Sequence, residues 1–279
     1  MDKQYCLNKH SFHKQTFGLR CDIDETFSTF FFHNSIDYII EPSISIDHSE
    51  IYQNRMYIEY CEKTSARDNI NKVNPFVKLV QKDIYPDINY EILDYILSKY
   101  IYIKPESVRQ LAIGYDDRTD RGVSRVKVYF DLFTEHNIIL ELLNLGGTPK
   151  ESIAFSNKHR LLFCVEMSEN GKSRIKTYPS IRKISRAYRE KFSKKITRVV
   201  YNSDSVFITF NEDGTSILHL CVNACKRGDI EKIGLGDLFC NNNFAVVFDK
   251  IIDKYPIRLI ALSGDEFQNG NINKVNIYY

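Results

Sequence analysis

Ser124-Arg125-Val126-Lys127-Val128-Tyr129-Phe130 alternates strictly between polar and apolar side chains. The same phrase returns as Arg174-Ile175-Lys176-Thr177-Tyr178, and a looser copy stands near the C-terminus as Lys274-Val275-Asn276-Ile277-Tyr278. A period of two is the signature of a β-strand, in which residues i, i+2 and i+4 share one face. Each copy therefore places polar or cationic groups and a tyrosine on one side, and mostly apolar residues on the other. Repeated strands of this kind predict a sheet with one greasy face and one cationic face. Rolled up, such a sheet is a barrel with a polar, positive interior suited to an anionic ligand.

Working outward, the other strands fall in pairs. Asp37–Asp47 precedes Arg55–Tyr60, Leu111–Asp116 precedes Val123–Leu132, and Leu161–Met167 meets Arg174–Tyr178 around the turn dipeptide Asn170-Gly171. Ser205–Phe210 meets Ser216–Val222 around Asp213-Gly214, and Ile257–Ser263 is followed by Asn273–Tyr279. Helical spacing marks Asp22–Ser35, Asn74–Lys82, Asn89–Tyr100, Glu135–Leu145 and Asn242–Lys254. Ser180–Phe192 reads as a basic amphipathic helix, and residues 1–20 as an irregular N-terminal segment. The order helix, hairpin, helix recurs about five times. The expected fold is α+β: an ABBA-type closed antiparallel barrel of about ten strands with helices outside, which leaves no free strand edge. No linker rich in Pro, Gly or Ser divides the chain, so residues 1–279 are expected to form a single domain.

Composition narrows the function. Lys plus Arg number 38 against 36 Asp plus Glu, a formal charge of +2. That is too little excess for a globally basic nucleic-acid binder, so no nucleic-acid partner is expected and any cationic site is local. The run Arg182, Lys183, Arg186, Arg189, Lys191, Lys194 and Lys195 faces away from Ile181, Ile184, Tyr188 and Phe192, as on the solvated side of an outer helix. Seven scattered cysteines without a CxxC pair read as reduced thiols of a cytoplasmic protein. No apolar run reaches the ~18 residues of a membrane helix, so no membrane partner is expected. A monomer is expected.

Four segments carry a family likeness. Glu41–Arg55 (EPSISIDHSEIYQNR), Ser124–Phe130 (SRVKVYF), Gly171–Pro179 (GKSRIKTYP) and Gly270–Tyr279 (GNINKVNIYY) occur in an order that resembles the cyanobactin-type peptide prenyltransferases of the ABBA fold. The likeness runs from about residue 20 to the end. It implies transfer of a dimethylallyl or geranyl group from its allylic diphosphate to a side chain of a ribosomal, often macrocyclic, peptide. It also implies diphosphate binding by Arg55, Lys127 and Lys176, and an acceptor-facing acid at Glu41.

Strand parity extends that set. Arg125, Arg174 and Lys274 join the diphosphate cations, with Tyr178 and Tyr278 beside them. Arg and Lys clamps act where negative charge develops on a leaving group. Tyr57, Tyr129 and His219 are candidates for shielding the allylic cation and lining the isoprene pocket, since a ring face stabilises a desolvated cation by up to ~2 kcal/mol. Glu41 is the candidate general base, with Glu59 and Glu166 as further acids that parity could place inside. Asp116-Asp117 reads as a solvated turn, and no protein-held metal is expected; Mg²⁺ would arrive mainly on the diphosphate's own oxygens. The rival readings are an aromatic prenyltransferase acting on free small molecules, and a non-catalytic barrel that binds a phosphorylated ligand or RNA.

Overall fold

In a computed structural model, which describes residues 3–32, 38–60, 66–118, 124–149, 159–211 and 213–279, the alternating segments are strands. In chain order they are β1 (Tyr38–Asp47), β2 (Glu50–Tyr52), β3 (Arg55–Tyr60), β4 (Val108–Asp116), β5 (Arg125–Thr134), β6 (His159–Ser168), β7 (Ser173–Tyr178), β8 (Ser205–Phe210), β9 (Ser216–Ala224), β10 (Ile257–Ser263) and β11 (Lys274–Tyr278). Hydrogen bonding follows the path β7-β6-β5-β4-β3-β1-β11-β10-β9-β8, with β2 attached to β1. With helices between the hairpins, this is the ABBA-type α+β fold, a nearly closed antiparallel barrel of ten strands. Turn chemistry sets the hairpins: Gly171 and Gly214 take φ of +78° and +80°, as the Asn-Gly and Asp-Gly dipeptides require.

The chain divides into two compact units. The first comprises Met1–Pro42, Asn54–Leu142 and Lys158–Lys176. Its strands bury Met56, Ile58, Ile113, Tyr115, Val126, Val128, Phe130 and Val165. The helix Ala66–Asp83 packs against β4. Phe27, from the helix Asp22–Phe32, meets Phe76 and Tyr115 edge-on at 5.7 and 5.0 Å. Burial of the even-numbered β5 residues fixes the register, because a slip by one would turn that face out.

Residues 3–17 are not irregular, as their polar composition suggested, but helical. The helix lacks an apolar stripe, which is why its period is invisible in the sequence. It is held instead by polar bonds: Lys9 donates to the Ile40 carbonyl at 3.1 Å, and His10 lies 2.9 Å from the buried Asp24. The end of the expected helix Asp22–Ser35, the first residue of the expected strand Asp37–Asp47 and most of the turn after Asp117 lie outside the described residues.

The second unit comprises Ser43–Gln53, Leu143–Asn157 and Thr177–Tyr279. Val206, Ile208, Leu218, Leu220, Ile260, Leu262, Val275 and Ile277 form the buried face of its strands. Phe244 and Phe248, on the helix Asn242–Ile252, pack with Phe239. The expected helix Ser180–Phe192 is broken into a 3-10 turn at Ile181–Lys183 and a short helix at Arg186–Arg189, followed by a further helix at Lys194–Asn202. Serine chemistry breaks it: Ser185 and Ser193 accept from the N–H groups of Tyr188 and Ile196, and each cap starts a new helix. Beyond β7, Ser180 forms a bridge with Phe207, and the Ile208 N–H donates to the Pro179 carbonyl at 3.1 Å.

Candidate anion site

Register builds the site row by row in the first unit. Residues opposite one another in antiparallel strands share a face. One row reads Glu41 on β1, Tyr57 on β3, Gly114 on β4, Lys127 on β5 and Glu166 on β6. The row to one side reads Arg55, Asp116, Arg125 and Ser168. The row to the other side reads Glu59, Ala112, Tyr129 and Cys164. The cations of β5 thus share the polar face with Arg55, as parity predicts, while Val126 and Val128 are fully buried on the other.

Two buried carboxylates organise these cations. Glu166 accepts from Arg125 at 3.1 Å and from Arg174 at 2.8 and 2.9 Å, with Lys176 and Lys127 at 3.5 and 3.7 Å. Asp116 accepts from Arg118 at 3.1 Å, with Arg55 at 3.4 Å and Lys127 at 3.9 Å. Burial by itself would raise both carboxyl pKa values. Lys176 and Lys127 beside Glu166, and Arg55 and Lys127 beside Asp116, overcome it and hold both groups ionised far below the ordinary range. Burial pushes Lys127 and Lys176 down, against the upward pull of Glu166. Six cationic side chains therefore surround two anions, and the surplus positive charge in a poorly hydrated setting favours an anionic ligand.

Beside the cations lies an aromatic corner. Tyr57 and Tyr129 meet edge to face with centroids 5.2 Å apart. Gly114 lies between their strands, opposite both Tyr57 and Lys127. A Cβ there would stand 2.9 Å from the Met56 carbonyl and 3.6 Å from the Tyr129 ring. Glu41 is half-buried at the β1 end of its row. Three strand spacings of about 4.8 Å put it roughly 14 Å from Lys127 along the sheet.

The remaining predicted residues belong to the second unit. Tyr178 meets His219 edge-on with centroids 5.1 Å apart, and the His219 Nε2 lies 3.1 Å from the Thr209 hydroxyl. Tyr278 pairs with Ser43 across β1 and β11. Lys274 is exposed and ion-paired to Asp47 at 3.0 Å. Its cationic charge therefore has its own counter-anion.

Three contributors escape sequence reasoning. Asp116 was expected to be a solvated turn residue; it ends β4 and is buried, because β3 and β5 bring Arg55 and Arg125 opposite it. Arg118, beyond the strand, folds back onto Asp116. Gly114 carries no chemistry and is recognisable only through its neighbours. As for metal, among the described residues no three His, Cys, Asp or Glu side chains are grouped to hold an ion. Asp116 and Glu166, the buried carboxylates of this face, are each engaged by arginine and lysine. No described helix is long and apolar enough to cross a membrane.

Among solved structures, the crystal structure of NotF prenyltransferase is similar to this chain, with a TM-score of 0.53 and 12% sequence identity over 86% of this chain and 80% of that one. At that identity the likeness shows a shared fold. No curated protein matches the sequence. Residues 7–279 match the family described as "Family of unknown function (DUF5838)", and the chain belongs to that family.

Proposed function

We propose that this protein is a prenyltransferase that moves a dimethylallyl or geranyl group from its diphosphate to a side chain of a ribosomal, cyclic peptide. The observation that carries the reading is the surplus of cations on the polar face of β3–β7, next to the Tyr57–Tyr129 corner. An allylic diphosphate has a strongly anionic head and a carbon that turns cationic as the head departs. The head would sit against Arg55, Arg125, Lys127, Arg174 and Lys176. As the C–O bond breaks, its electron pair stays on pyrophosphate, and preorganised cations absorb the new charge. The tyrosine rings would stand by the allylic cation and keep water from it.

Glu41 is the proposed acceptor-facing base, because it shares the row of Tyr57 and Lys127 and lies at its far end. Its distance along the sheet leaves room for the reacting carbon and an acceptor side chain between base and cations. Mg²⁺, if required, would come on the diphosphate; no step is assigned to it. Tyr178, Tyr278, Lys274 and His219 remain proposed on strand parity alone. The described cysteines form no disulfide with one another, in keeping with the proposed cytoplasmic location.

The test is incubation with dimethylallyl or geranyl diphosphate and a panel of cyclic peptides, read by mass spectrometry. A product heavier by one or two isoprene units is expected. Prenylation of free phenols or indoles with every peptide untouched would overturn the peptide assignment. Salt-sensitive RNA binding without turnover of any donor would overturn the enzymatic one.

A further inference from the structure

The two oxygens of Glu166 are unlike. Oε1 takes the hydrogen bonds of Arg125 and Arg174 at 2.8–3.1 Å. Oε2 is buried with no hydrogen-bond partner among the described residues. The Lys176 and Lys127 ammoniums stand 3.5 and 3.7 Å away on that side. Those separations are long for hydrogen bonds but short for Coulomb attraction. The arginines thus grip the carboxylate, whereas the lysines are held to it by charge and stay able to turn to another anion.

We infer that Glu166 is a positioning residue that competes with the diphosphate for Lys127 and Lys176 and so speeds release of pyrophosphate. This rests on the diphosphate reading proposed above. When the lysines turn to phosphate oxygens, Glu166 stays behind, buried and ionised, and repels the bound anion. The repulsion grows during the reaction. Breaking the C–O bond leaves the electron pair on the departing oxygen, so pyrophosphate carries one more negative charge than its ester. A fixed negative charge behind the lysines therefore weakens product binding more than substrate binding.

The experiment is calorimetric titration with inorganic pyrophosphate, together with donor KM and kcat, for wild type, Glu166→Gln, Glu166→Asp and Lys127→Ala. Glu166→Gln keeps the shape and removes the charge. It is expected to bind pyrophosphate at least tenfold more tightly, with both donor KM and kcat lowered as release becomes limiting. Glu166→Asp keeps a charge for the arginines but draws it back from the lysines; it is expected to bind more tightly than wild type, though by less, and it serves if Glu166→Gln fails to fold. A residue that merely shaped the site would give weaker binding in both variants, and that result overturns the inference. If wild type and Lys127→Ala show the same pyrophosphate affinity, the diphosphate reading itself fails. If Lys127→Ala binds less tightly while neither Glu166 variant binds more tightly, the reading stands and the inference alone falls.

Discussion

Lys127 and Lys176 are each close enough to Glu166 to be held without being bonded, and they are the side chains on which the proposed chemistry leans hardest. Lys127→Ala or Lys176→Ala is expected to cost about 2–4 kcal/mol of transition-state stabilisation, as for loss of one donor to a developing oxyanion. The measurement is kcat/KM for the donor; peptide affinity, read separately, should hardly move. Unchanged turnover in both variants would remove these lysines from the site. At the other end of the row, Glu41→Gln should leave donor binding intact while transfer falls by ~10²-fold or more if a general base is needed. Normal transfer by that variant, with loss in a Glu59 variant, would relocate the base. The cations were legible in the sequence because Arg-x-Lys-x-Tyr repeats at the strand period. The pairing of their counter-anions was not. Asp116, next to Asp117, read as part of a turn, and Glu166 was only one of several acids that parity could place inside; the pairing of β4, β5 and β6 reveals which cations face them.

Among the elements, β4 depends on a residue it lacks a side chain for. Gly114→Ala would put a methyl group 2.9 Å from the Met56 carbonyl, a backbone atom that moves only if β3 moves. A loss of about 1–3 kcal/mol, the usual cost of overpacking, is expected in chemical denaturation. A stability equal to wild type would mean that β3 and β4 can part without penalty. The strands were readable because one face of each is packed with apolar side chains and the other carries polar and charged ones, which writes a period of two into the sequence. The helix Lys3–Phe17 was not, since polar bonds such as Lys9 to Ile40 replace an apolar stripe. The basic stretch after Pro179 was misread because its apolar spacing is helical, while Ser185 and Ser193 each start a separate helix within or after it.

For the molecule as a whole, the buried carboxylates set a limit in acid. Asp116 and Glu166 have pKa values well below their ordinary 3.8 and 4.5. Their contribution to stability is full above those ordinary values and is lost as pH falls through the lower, native ones. The melting temperature should therefore begin to drop once pH falls below about 5 and keep dropping throughout the acid range down to the native values, and Glu166→Gln should flatten that slope. A slope unchanged in the variant would assign acid sensitivity to other groups. Within the second unit, β8 is laddered to β9 on one flank, and on the other it meets Pro179 and Ser180 through the Ser180–Phe207 bridge and the bond from the Ile208 N–H to the Pro179 carbonyl, a seam of few bonds among the described residues. Amide hydrogens report such differences. Deuterium uptake should run ahead in Ser205–Phe210 and lag in Arg125–Leu132, whose strand is laddered on both flanks. Equal uptake would mean that the seam is as firm as the ladders. Faster uptake there would make the seam the place where thermal opening starts, and a cross-link between the Ser180 and Phe207 positions would then slow the first step of unfolding without touching a single charged residue.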